Sequence, residues 1–257
     1  MKSEVLHPTE LQRPRDRTSR SSTIDTMWRA DVDRGDRSEA RTRILAWDDP
    51  DYPARLRLIR KGPGTLYVAG SLLPRDSRAI AIVGSRQADA RAVAEATQLA
   101  RSLAALGITI VSGLALGIDT AAHRGALSAA DGRTIAVVAS GLDMTFPSEN
   151  RALDFLIRRR GAVVSQLPLG TRPSREAFLA RNEIIAGLSA ASVVVAAAER
   201  SGTRNEMSHT MEQGKPVVFW GPTMASIAWA RQLVLEGAGF FAGSVEDLVR
   251  RLGGADT

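Results

Sequence analysis

From residue 79 onward, short β-branched runs alternate with helix-length stretches rich in alanine and leucine, and this alternation constrains the chain more than any other feature. AIAIV at 79–83, ITIV at 108–111, TIAVV at 134–138, AVV at 162–164, SVVVAA at 192–197 and PVVF at 216–219 are apolar at nearly every position. A strand with no polar face has to be covered on both sides, which is the situation inside a parallel sheet. The intervening segments 90–106, 118–130, 148–160, 176–187 and 203–214 repeat apolar residues at helical spacing, as in Val93, Ala96, Leu99, Ala100 and Leu103. Strand, helix and strand in succession are crossover units, so the predicted class is α/β, with a doubly wound, mostly parallel sheet and helices on both faces.

That pattern sets the domain boundaries. Residues 1–43 mix Arg, Asp, Ser and Thr without a sustained period and offer too little apolar surface to offset ordering entropy, so they are expected to form a disordered tail. Residues 44–79 are punctuated by Pro50, Pro53, Gly62, Pro63 and Gly64 and are expected to be a lead-in of short strand and turn pieces packed on the core. Residues 80–257 are then a Rossmann-like domain. Within it the apolar stretch 224–241 either closes the core or offers a homodimer surface, and closing the core is the preferred reading.

Cysteine is absent, which removes disulfides, thiolate metal sites and a thiol nucleophile together. The N-terminus lacks the apolar stretch of a signal peptide and no later run is long enough to span a bilayer, so the expectation is a cytoplasmic protein with no membrane association. A net charge of +6 suits a polyanionic partner, but it is spread thinly: residues 1–79 hold 16 basic against 12 acidic side chains, and residues 80–257 hold 18 against 16. The 31 arginines and 3 lysines fit bidentate phosphate contacts or simply genomic base composition.

Ligands of open parallel sheets bind beyond the carboxyl ends of the strands, so the residues following each strand are the first candidates. Three such turns suit phosphate: Gly84, Ser85 and Arg86; the segment 112–119 beginning Ser112-Gly113; and 199–203, containing Ser201, Gly202 and Thr203. Glycine admits an anion close to the backbone, and hydroxyls, a guanidinium and the unpaired N–H groups of a helix start add donors. All three are expected to converge on one crevice. No G-x-G-x-x-G follows a strand and Gly214-Lys215 is not a P-loop, so neither a dinucleotide nor any other cofactor is expected. His123, four residues after Asp119, suits an oriented base or, more simply, a braced helix start. Glu206 and His209 have the spacing of helical metal ligands but no second pair, so no metal is expected either.

Read in order, IVGSR at 82–86, VSGLALGIDTAAHRGAL at 111–127, GLDMTFPSEN at 141–150, RNEIIAGLS at 181–189 and ERSGT at 199–203 resemble the successive motifs of the DNA-processing protein A (DprA/Smf) family. The resemblance covers about residues 44–221. It implies a single-stranded-DNA-binding protein without turnover, which protects the strand and assists a RecA-type recombinase in DNA uptake or recombination. By motif match, Ser85 and Arg86 hold a phosphate, Ser112 and Gly113 supply donors, Arg181 and Asn182 reach the strand, and Phe178 stacks a base. Many relatives carry further helical and winged-helix domains, whose contacts are not expected here. The chain departs from the family pattern at Leu116 and Glu183, where relatives have arginine. It also reads Thr203-Arg204-Asn205-Glu206, which resembles the G-T-x-x-E of lysine-decarboxylase-like phosphoribohydrolases. That gives an alternative in which the chain is a nucleotide-binding enzyme or sensor, Glu206 assisting N-glycosidic cleavage and Arg181 holding the phosphate.

Overall fold

The computed structural model describes residues 42–60, 62–197 and 202–253. The predicted tail, up to residue 41, and Ser201 lie outside the described residues. The segment expected as a lead-in forms β1 (Arg43–Ala46), a short helix α1 (Ala54–Arg57) and β2 (Thr65–Gly70). Next come β3 (Ala79–Gly84), α2 (Ala90–Ala105), β4 (Thr109–Ser112), α3 (Ile118–Ser128), β5 (Thr134–Val137), α4 (Arg151–Arg160) and β6 (Ala162–Ser165). The chain continues through α5 (Arg175–Leu188), β7 (Ser192–Ala196), α6 (Thr203–Glu212), β8 (Val217–Trp220), α7 (Gly221–Ser226), α8 (Ala228–Leu235), β9 (Gly239–Ala242) and α9 (Val245–Gly253).

The strands form one nine-stranded sheet in the order β1-β2-β6-β5-β4-β3-β7-β8-β9. The six strands predicted from β-branched runs are all present, within a residue or two of the expected ends, and pair in parallel. Two features depart from the sequence reading. The lead-in contributes two strands to the sheet itself, β1 antiparallel to β2 and β2 antiparallel to β6, which makes the sheet mixed at that edge. The 224–241 stretch ends in a ninth strand parallel to β8. Most of that stretch closes the core: Met224 and Ala230 are fully buried, and Phe219 packs its ring on Trp229 and Phe241 at 5.8 and 5.7 Å.

Alternation along the central strands feeds two cores. Ile80 and Ile82 of β3, with Val193 and Val195 of β7, face α2, α3 and α9. Ala81 and Val83, with Val194, face α5, α6 and α8. A sheet covered on both faces explains why these strands are apolar at nearly every position. Among the described residues no helix is long and apolar enough to cross a membrane. Of the arginines at the end of α4, Arg158 grips Asp154 one turn back at 2.6 Å, and Arg160 caps the end of α3 by donating to the carbonyls of Leu127, Ala129, Ala130 and Gly132.

From β3 the chain builds outward through β4, β5 and β6, then returns by α5 to place β7 on the other side of β3. The order reverses between β3 and β7, and a crevice opens at their carboxyl ends. On one face of the sheet the helices α2 and α3 pack tightly. A Cβ at Gly125 of α3 would lie 2.2 Å from the Thr97 carbonyl oxygen of α2. In an isolated helix Gly→Ala stabilises by about 1 kcal/mol, but here the added methyl would push the two helices apart. Gly125→Ala is therefore expected to destabilise the fold by about 1–3 kcal/mol in urea unfolding.

Candidate functional site

The crevice at the β3/β7 switch is a cavity of about 940 Å³, near the upper end of the roughly 300–1,000 Å³ typical of small-molecule sites. Gly84, Ser85, Arg86, Phe178, Arg181, Asn182, Gly202, Thr203 and Glu206 all line it, and Ala115 and Asp119 of the 112–119 segment join them, so the turns after β3, β4 and β7 do meet, together with the helix α5. Ser112 and Gly113 do not line it. Ser112 Oγ donates to the Ile82 carbonyl at 2.7 Å and is fully buried, so its hydroxyl serves the sheet. Gly113 makes room for a side chain, not for an anion: a Cβ there would lie 1.5 Å from Arg181 Nη1.

Arg181 occupies that space. It rises from α5, is 5% exposed, and donates from Nη1 to the Val137 carbonyl at the end of β5 at 3.1 Å. Burial pulls its pKa below the usual arginine value, and the charge of Asp119 opposes that pull. Asp119, in the first turn of α3, answers in kind: burial raises its carboxyl, while Arg181 and hydrogen bonds around Ser112 to Ala115 lower it. Arg181 thus ties three elements together at the base of the crevice, rather than reaching for a strand as the motif match implied.

Glu206 lies on the other side of this cluster. Its Oε1 accepts from Ser192 Oγ at 2.6 Å and from Thr210 Oγ1 at 3.2 Å, while Oε2 is buried without a hydrogen-bond partner. Burial raises its pKa to about 7, with the Ser192 and Thr210 hydroxyls pulling the other way. His123 does not pair with Asp119. Its Nδ1 lies 2.7 Å from Thr134 Oγ1, whose own proton goes to the Ile110 carbonyl, so Nδ1 carries the hydrogen and Nε2 is a bare acceptor. Burial pulls its pKa to about 3, so the ring is neutral and structural. No group of three or more carboxylate or histidine side chains suited to a metal occurs among the described residues.

The outer wall has a different character. Ser85 Oγ accepts from the Gln87 amide at 3.1 Å, a bond that leaves its hydroxyl proton unused. Arg86 is exposed and holds its guanidinium 4.9 Å from the centre of the Phe178 ring. Phe178, expected as a stacking platform, is thus already engaged by Arg86 and, at 5.6 Å, by Arg181. Asn182 donates to Asn205 at 3.0 Å and joins α5 to α6. Gly202 is exposed with open space around it, and Thr203 is buried at the start of α6. Of the departures from the family pattern, Thr203 and Glu206 lie in the lining; Leu116 and Glu183 are outside it.

The sequence reading missed Phe146, Arg172 and Arg175, which also line the crevice. Arg172 and Arg175 flank the start of α5, where Ser174 caps the helix by accepting from the Ala177 amide at 3.1 Å. An N-cap serine beside two arginines was the readable signal, since a helix start favours an anion. With Arg86 and Arg181 they set four arginines against the two carboxylates Asp119 and Glu206.

The fold and this lining define the class: an α/β protein with an arginine-rich crevice at the switch point of its sheet. Residues 43–253 match the model of the family DNA recombination-mediator protein A, and the chain belongs to that family. It is 34% identical over 225 residues, 82% of its length, to the putative DNA processing protein DprA of Mycobacterium tuberculosis, of which it covers 58%. The X-ray structure of DprA from Streptococcus pneumoniae superposes with a TM-score of 0.75 at 32% identity, covering 86% of this chain and 77% of that one. DprA from Helicobacter pylori, described for its single-stranded DNA binding mode, has the same fold, with a TM-score of 0.73 at 24% identity over 84% of this chain and 98% of that one. The chain spans about half the length of the curated relatives it matches.

The raised pKa of Glu206 makes stability depend on pH. In the unfolded chain the carboxyl ionises above the ordinary glutamate value of 4.5, while in the fold it holds its proton up to about 7. The protonated form's contribution is complete below the unfolded value and is lost as the pH rises to about 7, since the unfolded state then binds fewer protons than the native one. Glu206→Gln keeps the acceptor for Ser192 and removes the ionisation. It is expected to match the wild type near pH 5 and to exceed it by about 1–3 kcal/mol at pH 8 in denaturant unfolding.

Proposed function

We propose that this chain is a single-stranded-DNA-binding protein whose ligand lies in the crevice between β3 and β7. The observation that carries this reading is the outer wall, where Arg86, Arg172 and Arg175, the start of α5 and two aromatic rings share one lining. A single strand offers both phosphates and base faces, and this combination answers both. Ser85 and Arg86 contact phosphate, with the open turn at Gly202 and Thr203 opposite. The single-stranded DNA binding described for the Helicobacter pylori relative supports the reading. The family resemblance extends it to protection of the strand and assistance to a RecA-type recombinase in DNA uptake or recombination, within the cytoplasm. Self-association through α8, where Leu235 is 82% exposed, belongs to the same reading.

Labelled single-stranded and duplex oligonucleotides titrated at several salt concentrations test it. Single strands are expected to bind more tightly, with affinity falling as salt rises because phosphate contacts release counterions. Equal or absent binding of both forms at low salt overturns the reading. Arg86→Ala is expected to weaken binding while leaving the unfolding transition in place, and to reduce the slope of log K against log salt by about 0.7, one phosphate contact to a single strand. An unchanged slope removes Arg86 from the phosphate contacts.

The chain acts by binding, without turnover. Glycosidic cleavage needs a carboxyl presented to the ligand, whereas Glu206 has one oxygen taken by two hydroxyls and the other buried. Nucleoside monophosphates incubated with the protein are expected to release no free base. Base release that disappears in Glu206→Gln would make this an enzyme of the phosphoribohydrolase type.

A further inference from the structure

Among the aromatic side chains of the crevice, Phe146 is the more exposed, at 49%. Its ring centre lies 6.0 Å from that of Phe178 with the planes tilted by 56°. The two rings therefore do not cover each other face to face. Phe178 is half-buried and holds two guanidiniums, whereas among the described residues no guanidinium sits over Phe146. Leaving so large an apolar surface in water forgoes burial free energy unless something covers it.

The loop that carries Phe146 is fixed from several sides. Thr145 Oγ1 donates to Asp154 at 2.5 Å, Asp154 pairs with Arg158 at 2.6 Å, and Arg158 donates back to the Leu142 carbonyl at 2.9 Å. The same loop is tied to the one bearing Arg172. The Gly141 amide donates to the Thr171 carbonyl at 2.9 Å, and the Gly170 amide to Asp143 Oδ1 at 2.8 Å. These bonds join the two loops that bring an exposed ring and an arginine into the lining of one crevice. A platform already held in place loses little entropy when a ligand arrives.

From this geometry, and resting on the single-stranded-DNA reading above, we infer that Phe146 is a base-stacking platform at the mouth of the crevice, with Arg172 beside it for the adjoining phosphate. The ligand class is an unpaired nucleobase within a polynucleotide. Any base has a π-face, so the platform is indifferent to sequence but requires bases. In a duplex the base faces are stacked on one another and out of its reach, which gives this residue a part in discriminating single from double strands.

The test compares two strands of equal length, oligo-dT and an abasic deoxyribose-phosphate chain, bound to wild type, Phe146→Ala and Phe146→Trp. Wild type is expected to prefer oligo-dT. Phe146→Ala is expected to lose about tenfold in affinity for oligo-dT, the effect of removing one stacked base, while its affinity for the abasic strand stays unchanged. Phe146→Trp restores the preference. Equal loss on both strands, or no loss on either, overturns the inference. Wild-type binding that does not distinguish the two strands overturns it as well, while leaving a phosphate-binding crevice in place. Wild type that binds neither strand removes the single-stranded-DNA reading itself, and this inference with it. Phe146 is half in solvent and its loop is held by Thr145, Asp143 and Leu142, so the substitutions leave the fold intact, to be confirmed by an unchanged unfolding midpoint.

Discussion

The structure at the crevice depends on one buried cation. Arg181 lies inside the protein, held by the charges of Asp119 and Glu206 and by a hydrogen bond from its tip to the Val137 carbonyl. A guanidinium removed from water is tolerated only with such partners, and removing one partner leaves the other charge stranded. Through this residue α5 is fixed against α3 and the end of β5, in a space that exists because residue 113 has no side chain. Phe178, one turn earlier on α5, takes its position from the same anchoring, and through its ring so does the guanidinium of Arg86.

This arrangement divides the arginines of the crevice into two kinds. The inner one is committed to protein partners, while Arg86, Arg172 and Arg175 stand on the exposed rim. The acids follow the same division in reverse, since Asp119 and Glu206 are both buried at the base. A phosphate approaching from solvent therefore meets cations first. The raised carboxyl of Glu206 keeps part of the negative charge neutral near pH 7, which lessens its repulsion of an anion above it.

Much of the fold was legible because the strands are buried on both faces. A run such as SVVVA has no reading other than a covered strand, and the helices between such runs fix the crossover connections. What escaped were strands towards the two ends of the sheet order. TLYVAG, second from one edge, was read as part of a packed lead-in, and GFFA, at the other edge, as part of a core-closing stretch, because both are only partly buried and carry less of the both-sided apolar signature. Nothing local told TLYVAG that it would pair with β6, over ninety positions further along the chain.

The site divides along similar lines. The turn after β3 and the start of α6 were identified from the sequence because ligand position in an open parallel sheet follows from strand ends, whereas the α5 residues Phe178, Arg181 and Asn182 were reached only through the family resemblance. The sequence by itself also determined that no thiol chemistry is available, since cysteine is absent. Only the tertiary structure decided what each residue does. It turned Ser112 toward a strand carbonyl, filled the space at Gly113 with a guanidinium, separated His123 from Asp119, and left Phe146 open beside Arg172. The physical reason is that burial and partnership are set by contacts between segments distant in the chain. A residue's type is written locally, but its hydrogen-bond partners, its charge state and its access to a ligand are fixed only when those segments meet.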